Sequence, residues 1–167
     1  MQTGLYVVMG VSGAGKSLIG AQLARALDVA FVEGDDLHPP ENVRRMTAGT
    51  PLTDEDRHGW LIAIAARLRD AKRAGVGLVV ACSALKRRYR ELLRSVGAGD
   101  LRFVYLKGSR ELIAERLAQR PGHFMPPVLL DSQLATLEEP AADERAWVCD
   151  IRETPDAIVA DVVKRST

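Results

Sequence analysis

The sequence predicts an α/β fold in which a five-stranded parallel sheet lies between two layers of helices. Five short segments are almost entirely apolar, as strands covered on both faces are. The longer segments between them carry apolar residues at helical spacing. Strands that alternate with helices in this way are typical of a parallel sheet in a three-layer α/β/α sandwich.

The elements follow one another in chain order. A valine-rich run predicts the first strand, and the helix after it begins at Ser17. Trp60 heads the apolar face of a later helix and is expected in the core, while Gly75 and Gly77 separate that helix from the next strand. The predicted strands cover residues 5–9, 30–32, 78–82, 101–106 and 146–149. The predicted helices cover residues 17–27, 41–46, 60–73, 86–96, 111–120, 128–137 and 156–164.

Length and composition indicate one globular domain over residues 1–167. The chain is 47% hydrophobic and 27% charged, which excludes a disordered, collagen-like or coiled-coil protein. Lys and Arg total 23 and Asp and Glu total 22, which leaves a net charge of +1. Neither a nucleic acid nor a membrane is therefore expected as a partner.

The two cysteines and the first residues indicate a reducing compartment. Cys82 and Cys149 each lie in an apolar run, which predicts buried thiols and neither a disulfide nor a metal site. The first residues carry no basic stretch, and the apolar segment after them is too short for a signal peptide or a membrane span. A cytoplasmic protein is expected.

A phosphate-binding loop is the clearest motif. The run Gly10-Val11-Ser12-Gly13-Ala14-Gly15-Lys16-Ser17 matches G-x-x-x-x-G-K-[ST] at every fixed position, between a buried strand and an amphipathic helix. Glycines allow backbone N–H groups to surround phosphate oxygens, and the helix directs its positive end at the same anion. Lys16 would reach the β and γ phosphates of ATP, and the Ser17 hydroxyl would bind Mg²⁺.

The loop alone does not decide the reaction. The only asparagine, Asn42, is followed by valine, so the Asn-Lys-x-Asp motif of a GTPase is absent. A D-x-x-G run at 56–59 follows no apolar strand and is interpreted as coincidence. The strand at 78–82 does not end in the carboxylate that mechanical ATPases use. A small ATP-dependent kinase fits better.

An acidic cluster follows the second predicted strand. Glu33, Asp35 and Asp36 would lie beyond the carboxyl end of that strand, where ligands of open α/β sheets bind. Asp35 is the candidate for orienting an acceptor hydroxyl and taking its proton, and Glu33 for holding a metal-bound water. A solvated turn with a helix cap is the alternative interpretation.

Two pairs of basic residues are candidates for anion binding. Lys86 and Arg90 are four residues apart on a predicted helix and could form a clamp for a carboxylate or phosphate, unless they belong to a solvent-exposed basic face. Arg116 and Arg120 lead into a Gly/Pro-rich segment, which suits a lid at about 120–137 that closes over the phosphates. Favourable cations at a helix C-terminus would give the same spacing.

Taken together, these motifs resemble the gluconokinase family. The matching blocks are residues 10–17, 34–39, 49–54, 82–86 and 122–125, with Asn42, Met46, Arg57, Trp60, Tyr89, Arg90, Ser132, Gln133 and Glu138. The resemblance covers almost the whole chain in order. One departure is Gly59, where the family usually has proline, and it is expected to loosen the turn into the Trp60 helix.

The resemblance implies transfer of a phosphoryl group from ATP to the 6-hydroxyl of D-gluconate, with Mg²⁺ as cofactor. It also implies a sheet of the nucleoside-monophosphate-kinase type and a homodimer. The catalytic residues it implies are Lys16, Asp35, Arg116 and Arg120. The substrate site it implies contains Asp35, His38, Arg57, Lys86, Arg90 and His123, and the segment 150–155, with Arg152 and Pro155, would border the adenine.

Three rival functions stay open at this stage. A shikimate kinase would show a glycine triplet where this chain reads Cys82-Ser83-Ala84. A nucleotide kinase would stack a second base on an aromatic residue, and aromatic residues make up only 5% of the chain. A nucleotide-binding regulator that hydrolyses ATP slowly would not respond to a sugar acid.

Overall fold

The predicted parallel sheet is present in the computed structural model, which describes residues 3–97, 99–120 and 127–167. Its strands are β1 (Leu5–Met9), β2 (Ala30–Glu33), β3 (Leu78–Ala81), β4 (Arg102–Lys107) and β5 (Trp147–Asp150). They lie in the order β2-β3-β1-β4-β5, and every paired strand runs parallel to its neighbour. The predicted fold class is confirmed.

Helices connect the strands. They are α1 (Lys16–Leu27), α2 (Pro40–Thr47), α3 (Asp54–Ala74), α4 (Arg87–Leu92), α5 (Arg110–Ala118), α6 (Pro127–Thr136) and α7 (Pro155–Ser166). Short 3₁₀ turns cover Gly34–Leu37 and Ala142–Glu144, and a π-helical turn, Leu93–Gly97, continues α4. None of the helices among the described residues has the length and apolarity that a membrane crossing requires.

The core surrounds the central strands. Every residue of β1 and β3 is buried, as continuous apolar strands in a covered parallel sheet should be. Trp60 is 2% exposed, and the thiols of Cys82 and Cys149 are buried and free. The predicted burial of these three side chains is confirmed.

The start of α3 differs from the prediction. The Thr53 side chain accepts a hydrogen bond from the backbone N–H of Asp56, and the Asp56 carboxylate accepts one from the N–H of Thr53. This capping box starts the helix at Asp54, six residues before Trp60. Gly59 therefore lies inside a helix, and the expectation that it loosens a turn is wrong. The D-x-x-G run lies in the same helical segment, as expected of a coincidence.

Gly34 passes close to the backbone of β3. A Cβ at this position would stand 2.2 Å from the carbonyl oxygen of Ala81. The carbonyl of Gly34 also accepts a 2.8 Å hydrogen bond from Trp60 Nε1. These contacts hold the turn that carries Asp35 against β3 and α3.

Two glycine substitutions should have opposite effects. We expect Gly34→Ala to lower the free energy of unfolding by about 1–3 kcal/mol, because the methyl group forces the backbone away from β3. Gly59→Ala is the matched control, since a Cβ there meets no atom within 4 Å. It should raise that free energy by about 0.5–1 kcal/mol, through helix propensity alone. Urea unfolding monitored by circular dichroism measures both, and equal effects of the two variants would contradict this packing argument.

Candidate functional site

The predicted phosphate loop connects the carboxyl end of β1 to the start of α1. Its glycines adopt backbone conformations that favour residues without a Cβ, with φ of +87° at Gly13 and +98° at Gly15. A Cβ on Gly13 would also lie 2.7 Å from Leu117 Cγ, so the loop packs directly against α5. Because α1 begins at Lys16, its unpaired N-terminal N–H groups adjoin the loop. The loop is therefore shaped to hold an anion.

Two cavities meet at this loop. The phosphate-loop cavity, of about 560 Å³, is lined by residues 12–19, Glu33, Asp35, Asp36, Arg116, Arg120, Glu153, Pro155 and Ile158. The inner cavity, of about 100 Å³, is lined by Ser12, Lys16, Asp35, His38, Met46, Thr50, Pro51, Leu52, Arg57, Trp60, Ser83, Leu85, Leu129, Ser132 and Gln133. Both linings contain Ser12, Lys16 and Asp35. A group that passes from one cavity to the other would cross at these three residues.

Lys16 lies at this crossing. Its Nζ donates a 3.0 Å hydrogen bond to the carbonyl of Val11 inside the loop. Loss of solvation lowers the pKa of the Lys16 ammonium, and the nearby carboxylates of Asp35 and Glu33 oppose that shift. Phosphate oxygens would stabilise the same charge, so the site favours an anionic ligand.

Ser17 and Glu33 bring two oxygen donors together on the wall of the phosphate-loop cavity. The Ser17 hydroxyl donates to Glu33 Oε2, and Glu33 Oε1 accepts from the backbone N–H of Asp35 at 3.5 Å. Among the described residues, no three His, Cys, Asp or Glu side chains group as metal ligands. One hydroxyl and one carboxylate suit Mg²⁺, which proteins usually bind through one or two side chains together with water and substrate phosphates.

His38 forms part of the inner wall beside Asp35. Its ring stacks on Trp60 with centroids 4.1 Å apart, and its Nε2 lies 4.0 Å from Asp35 Oδ1. Asn42 Nδ2 lies 3.3 Å from His38 Nδ1 and also donates to the carbonyl of Asp56. Since Nδ1 then accepts, the proton of the neutral ring is on Nε2, towards Asp35. Burial lowers the pKa of His38, Asp35 opposes the shift, and Arg57 adds to it.

Arg57 brings a cation to the same cavity. It lies in the first turns of α3, and its Nη1 donates a 2.9 Å hydrogen bond to the hydroxyl of Tyr89. Asp35, His38 and Arg57, three of the predicted acceptor-site residues, are thus brought together. The inner cavity combines a carboxylate, a neutral imidazole and a guanidinium, which suits a polyhydroxylated acid.

Lys86 and Arg90 do not form the predicted clamp. Lys86 is the N-cap of α4 and has extended backbone angles, so helical i,i+4 geometry does not apply to the pair. Its Nζ binds Asp54 Oδ1 at 2.9 Å, and neither residue lines the inner cavity. The predicted helical clamp is corrected, and the predicted contact of both residues with the substrate stays a prediction.

Arg90 instead forms a buried ion pair. Its Nε and Nη2 donate to the Glu144 carboxylate at 2.7 and 3.0 Å, and its Nη1 donates to the carbonyl of Ala84 at 2.9 Å. The side chains of Arg90 and Glu144 are 0% and 2% exposed. Burial alone would raise the pKa of Glu144, but hydrogen bonds, the Arg90 bond foremost, hold it at about 2. Arg90 therefore anchors the 3₁₀ turn after α6 to α4.

The other residues predicted to bind ATP do not all line the phosphate-loop cavity. Arg116 and Arg120 line the phosphate-loop cavity, and Arg116 also donates to the carbonyl of Ile151. Pro155 also lines this cavity, and its predicted place beside the adenine stays a prediction. Arg152 does not line the cavity: its guanidinium folds back onto Asp150 and is 81% exposed. A carboxylate two residues away thus binds this side chain, and the predicted place of Arg152 beside the adenine stays a prediction.

His123 lies outside the described residues, so its predicted role stays a prediction. Gln133 has no role in the predictions, although it belongs to a block that resembles the family. Its Oε1 accepts a 2.7 Å hydrogen bond from the backbone N–H of Ser12. This contact joins α6 to the phosphate loop across 121 residues of sequence, a pairing for which the sequence contains no periodic signal.

Comparison with known proteins identifies the same family that the sequence motifs resemble. Residues 5–140 match the protein family described as "AAA domain". The gluconokinase of Gluconobacter oxydans (strain 621H) is 48% identical over 161 residues, which cover 95% of this chain and 88% of that protein. The thermoresistant gluconokinase of Escherichia coli (strain K12) is 43% identical over 161 residues, which cover 96% and 91% of the two chains. This chain belongs to the gluconokinase family.

A solved structure extends the likeness to three dimensions. The crystal structure of a gluconokinase from Sinorhizobium meliloti 1021 matches with a TM-score of 0.89 and 48% identity. The match covers 98% of this chain and 91% of that one. The gluconokinase resemblance recognised in the sequence is confirmed in sequence and in fold.

The structural role of Arg90 can be tested through its partner. We expect Glu144→Ala to lower the free energy of unfolding by about 3–5 kcal/mol, because it leaves the Arg90 charge buried and unpaired. The control is Asp161→Ala, which breaks the half-exposed Arg165–Asp161 pair and should cost about 1 kcal/mol or less. Urea titration of both variants measures the difference. A Glu144→Ala loss no larger than the control's would show that the pair does not anchor the turn.

Proposed function

We propose that this protein transfers the γ-phosphoryl group of ATP to the 6-hydroxyl of D-gluconate, with 6-phospho-D-gluconate and ADP as products. The observation that carries the proposal is the position of Lys16 and Asp35 on both cavities. A phosphate-binding cation and a carboxylate then face the point where a bound nucleotide and a bound acceptor would meet. Membership of the gluconokinase family supports gluconate as that acceptor.

The nucleotide would occupy the phosphate-loop cavity. The N–H groups of the loop would hold its phosphates, with Lys16 at the β and γ positions. Arg116 and Arg120 line the cavity and would neutralise the charge that develops in the transition state. Glu153 and Pro155 border the cavity where the adenosine would leave the loop.

Ser17 and Glu33 would hold Mg²⁺, Ser17 directly and Glu33 through a water molecule. When bound, Mg²⁺ offsets the charge of the β and γ phosphates and orients them. The direct bond from Ser17 to Glu33 keeps both oxygens at one place on the cavity wall. The protein therefore supplies few ligands of its own, and the nucleotide would supply others.

Asp35 would orient the 6-hydroxyl of gluconate and accept its proton. The hydroxyl oxygen forms a bond to the γ phosphorus, the bond from that phosphorus to the ADP oxygen breaks, and ADP departs with the electron pair. Arg57 would bind the carboxylate at the other end of the sugar acid, and His38 would bind a hydroxyl. An acceptor held at both ends approaches the phosphate in one orientation.

We further propose a single cytoplasmic kinase domain with a lid at about 120–137, assembled as a homodimer. The family resemblance supports the dimer, and the two buried, unpaired cysteines agree with a reducing compartment. The contact of Gln133 with the phosphate loop supports a lid function for α6, because closure would bring lid residues to the phosphates.

A panel of acceptors tests the substrate. ADP release is measured with gluconate, another aldonic acid, shikimate, glycerate and nucleoside monophosphates. We expect gluconate to give the highest kcat/KM, because Asp35 and Arg57 line one cavity and the chain belongs to the gluconokinase family. Stimulation by another acceptor but not by gluconate would refute the assignment.

The proposed role of Asp35 as the general base can be tested by substitution. Asp35→Asn should lower kcat by about 10²–10⁴-fold, the usual range for loss of a general base, and leave the KM for ATP near that of the wild type. Asp70→Asn, an exposed substitution on α3, is the control and should leave kcat unchanged. Steady-state kinetics of both variants decide, and a near-normal kcat in Asp35→Asn would remove this residue from the mechanism.

A further inference from the structure

A chain of hydrogen bonds leads from the protein surface to Arg57 in the inner cavity. Arg57 Nη1 donates to the Tyr89 hydroxyl at 2.9 Å, and that hydroxyl donates to Asp54 Oδ1. The hydroxyl has a single proton, so donation to Asp54 leaves its lone pairs free to accept from Arg57. The direction of both bonds is therefore determined. Tyr89 is 4% exposed, which limits the access of competing water to its side chain.

Asp54 is held firmly at the outer end of this chain. Lys86 Nζ and Arg88 Nη1 bind its two oxygens at 2.9 and 2.6 Å. The hydrogen bond from Tyr89, with those from Lys86, lowers the pKa of Asp54 to about 2. Burial, with the bond to Asp54, raises the pKa of Tyr89. The carboxylate thus stays charged and the phenol stays protonated across the pH range in which the enzyme would be assayed.

The hydrogen bonds from Arg57 through Tyr89 to Asp54 also explain the position of Lys86. Lys86 does not reach the inner cavity, but it contacts Asp54 and lies 5.8 Å from the centre of the Tyr89 ring. Asp54 and Arg57 belong to the first turn of α3, whereas Tyr89 belongs to α4. The hydroxyl of Tyr89 thus fixes a cavity-lining side chain of one helix from a neighbouring helix.

We propose that Tyr89 and Asp54 are positioning residues that hold the Arg57 guanidinium ready for the carboxylate of the acceptor. They would thereby determine the preference for a sugar acid over the corresponding neutral polyol. The inference rests on the proposed function, since it assigns Arg57 to the gluconate carboxylate. An arginine side chain loses rotamer freedom when it binds an anion, and a guanidinium already held in place loses less. One Nη1 donor is used by Tyr89, which leaves the other N–H groups for the acceptor.

Another tyrosine provides a matched control. Tyr105 is also 4% exposed, and its hydroxyl also lies against a carboxylate, Glu139, at 3.1 Å. Tyr105 does not line the inner cavity. Tyr105→Phe therefore removes the same atom from a similar environment without disturbing Arg57.

The experiment compares wild type, Tyr89→Phe and Tyr105→Phe. The acceptors are D-gluconate and D-glucitol, in which a CH₂OH group replaces the carboxylate; glucitol is measured both as a substrate and as a competitor of gluconate. We expect Tyr89→Phe to raise the KM for gluconate about tenfold, the effect of losing one hydrogen bond to a charged group. The KM for ATP, kcat and the affinity for glucitol should stay within about twofold of wild type. Tyr105→Phe should leave the acid-to-polyol preference unchanged.

Asp54→Asn is the second variant, since it keeps the Tyr89 hydroxyl and removes the charge that orients it. It should reduce the acid-to-polyol preference in the same direction as Tyr89→Phe, with an unchanged KM for ATP. An unchanged preference in both variants would overturn the proposal. So would parallel losses for gluconate, glucitol and ATP, which indicate a general structural role. If wild-type enzyme fails to phosphorylate gluconate at all, the proposed function fails instead, and this is seen before any variant is compared.

Discussion

The parallel order of the strands decides where donor and acceptor can meet. Because β1 lies between β3 and β4, its phosphate loop opens at the carboxyl edge of the sheet, beside the segments that follow β2 and β3. Glu33 and Asp35 come from the first of these segments and Ser83 from the second. Gly34 lets the first segment pass within contact distance of β3. The shared wall of the two cavities depends on this arrangement, since Asp35 could not otherwise face Lys16.

Charge is arranged locally in a protein whose net charge is +1. The basic run 86–94 is rich in arginine but adds no free positive charge to the inner cavity. Arg87 binds Asp143 and Arg90 binds Glu144, both in the segment after α6, while Arg88 binds Asp54. These ion pairs anchor the segment that follows α6, and the pair with Asp54 holds the start of α3. Among the described residues, the cations that line the phosphate-loop cavity or the inner cavity are Lys16, Arg57, Arg116 and Arg120.

Helix α3 supports several residues of the inner cavity. The capping box of Thr53 and Asp56 starts α3 early enough to place Asp54 and Arg57 in the helix before Trp60. Trp60 then stacks on His38 and binds the carbonyl of Gly34. One helix therefore supports the histidine, the arginine and the turn that carries Asp35. This support is preorganisation, because the polar groups of the inner cavity are held in place before a ligand enters.

The sequence by itself determined the strand and helix order, the phosphate loop and the family, because each depends on local patterns of apolar spacing, glycine placement and contiguous motifs. Asp35, His38 and Arg57 were also found from the family blocks. Only the tertiary structure decided which cations are free. Arg90 and Arg152 resemble binding residues in sequence. In the structure, however, Arg90 pairs with Glu144, 54 residues away in the sequence, and Arg152 pairs with Asp150. The contact of Gln133 with Ser12 and the link from Asp54 through Tyr89 to Arg57 also join distant segments. Such pairings depend on how helices pack around the sheet, and no periodicity along the chain encodes them.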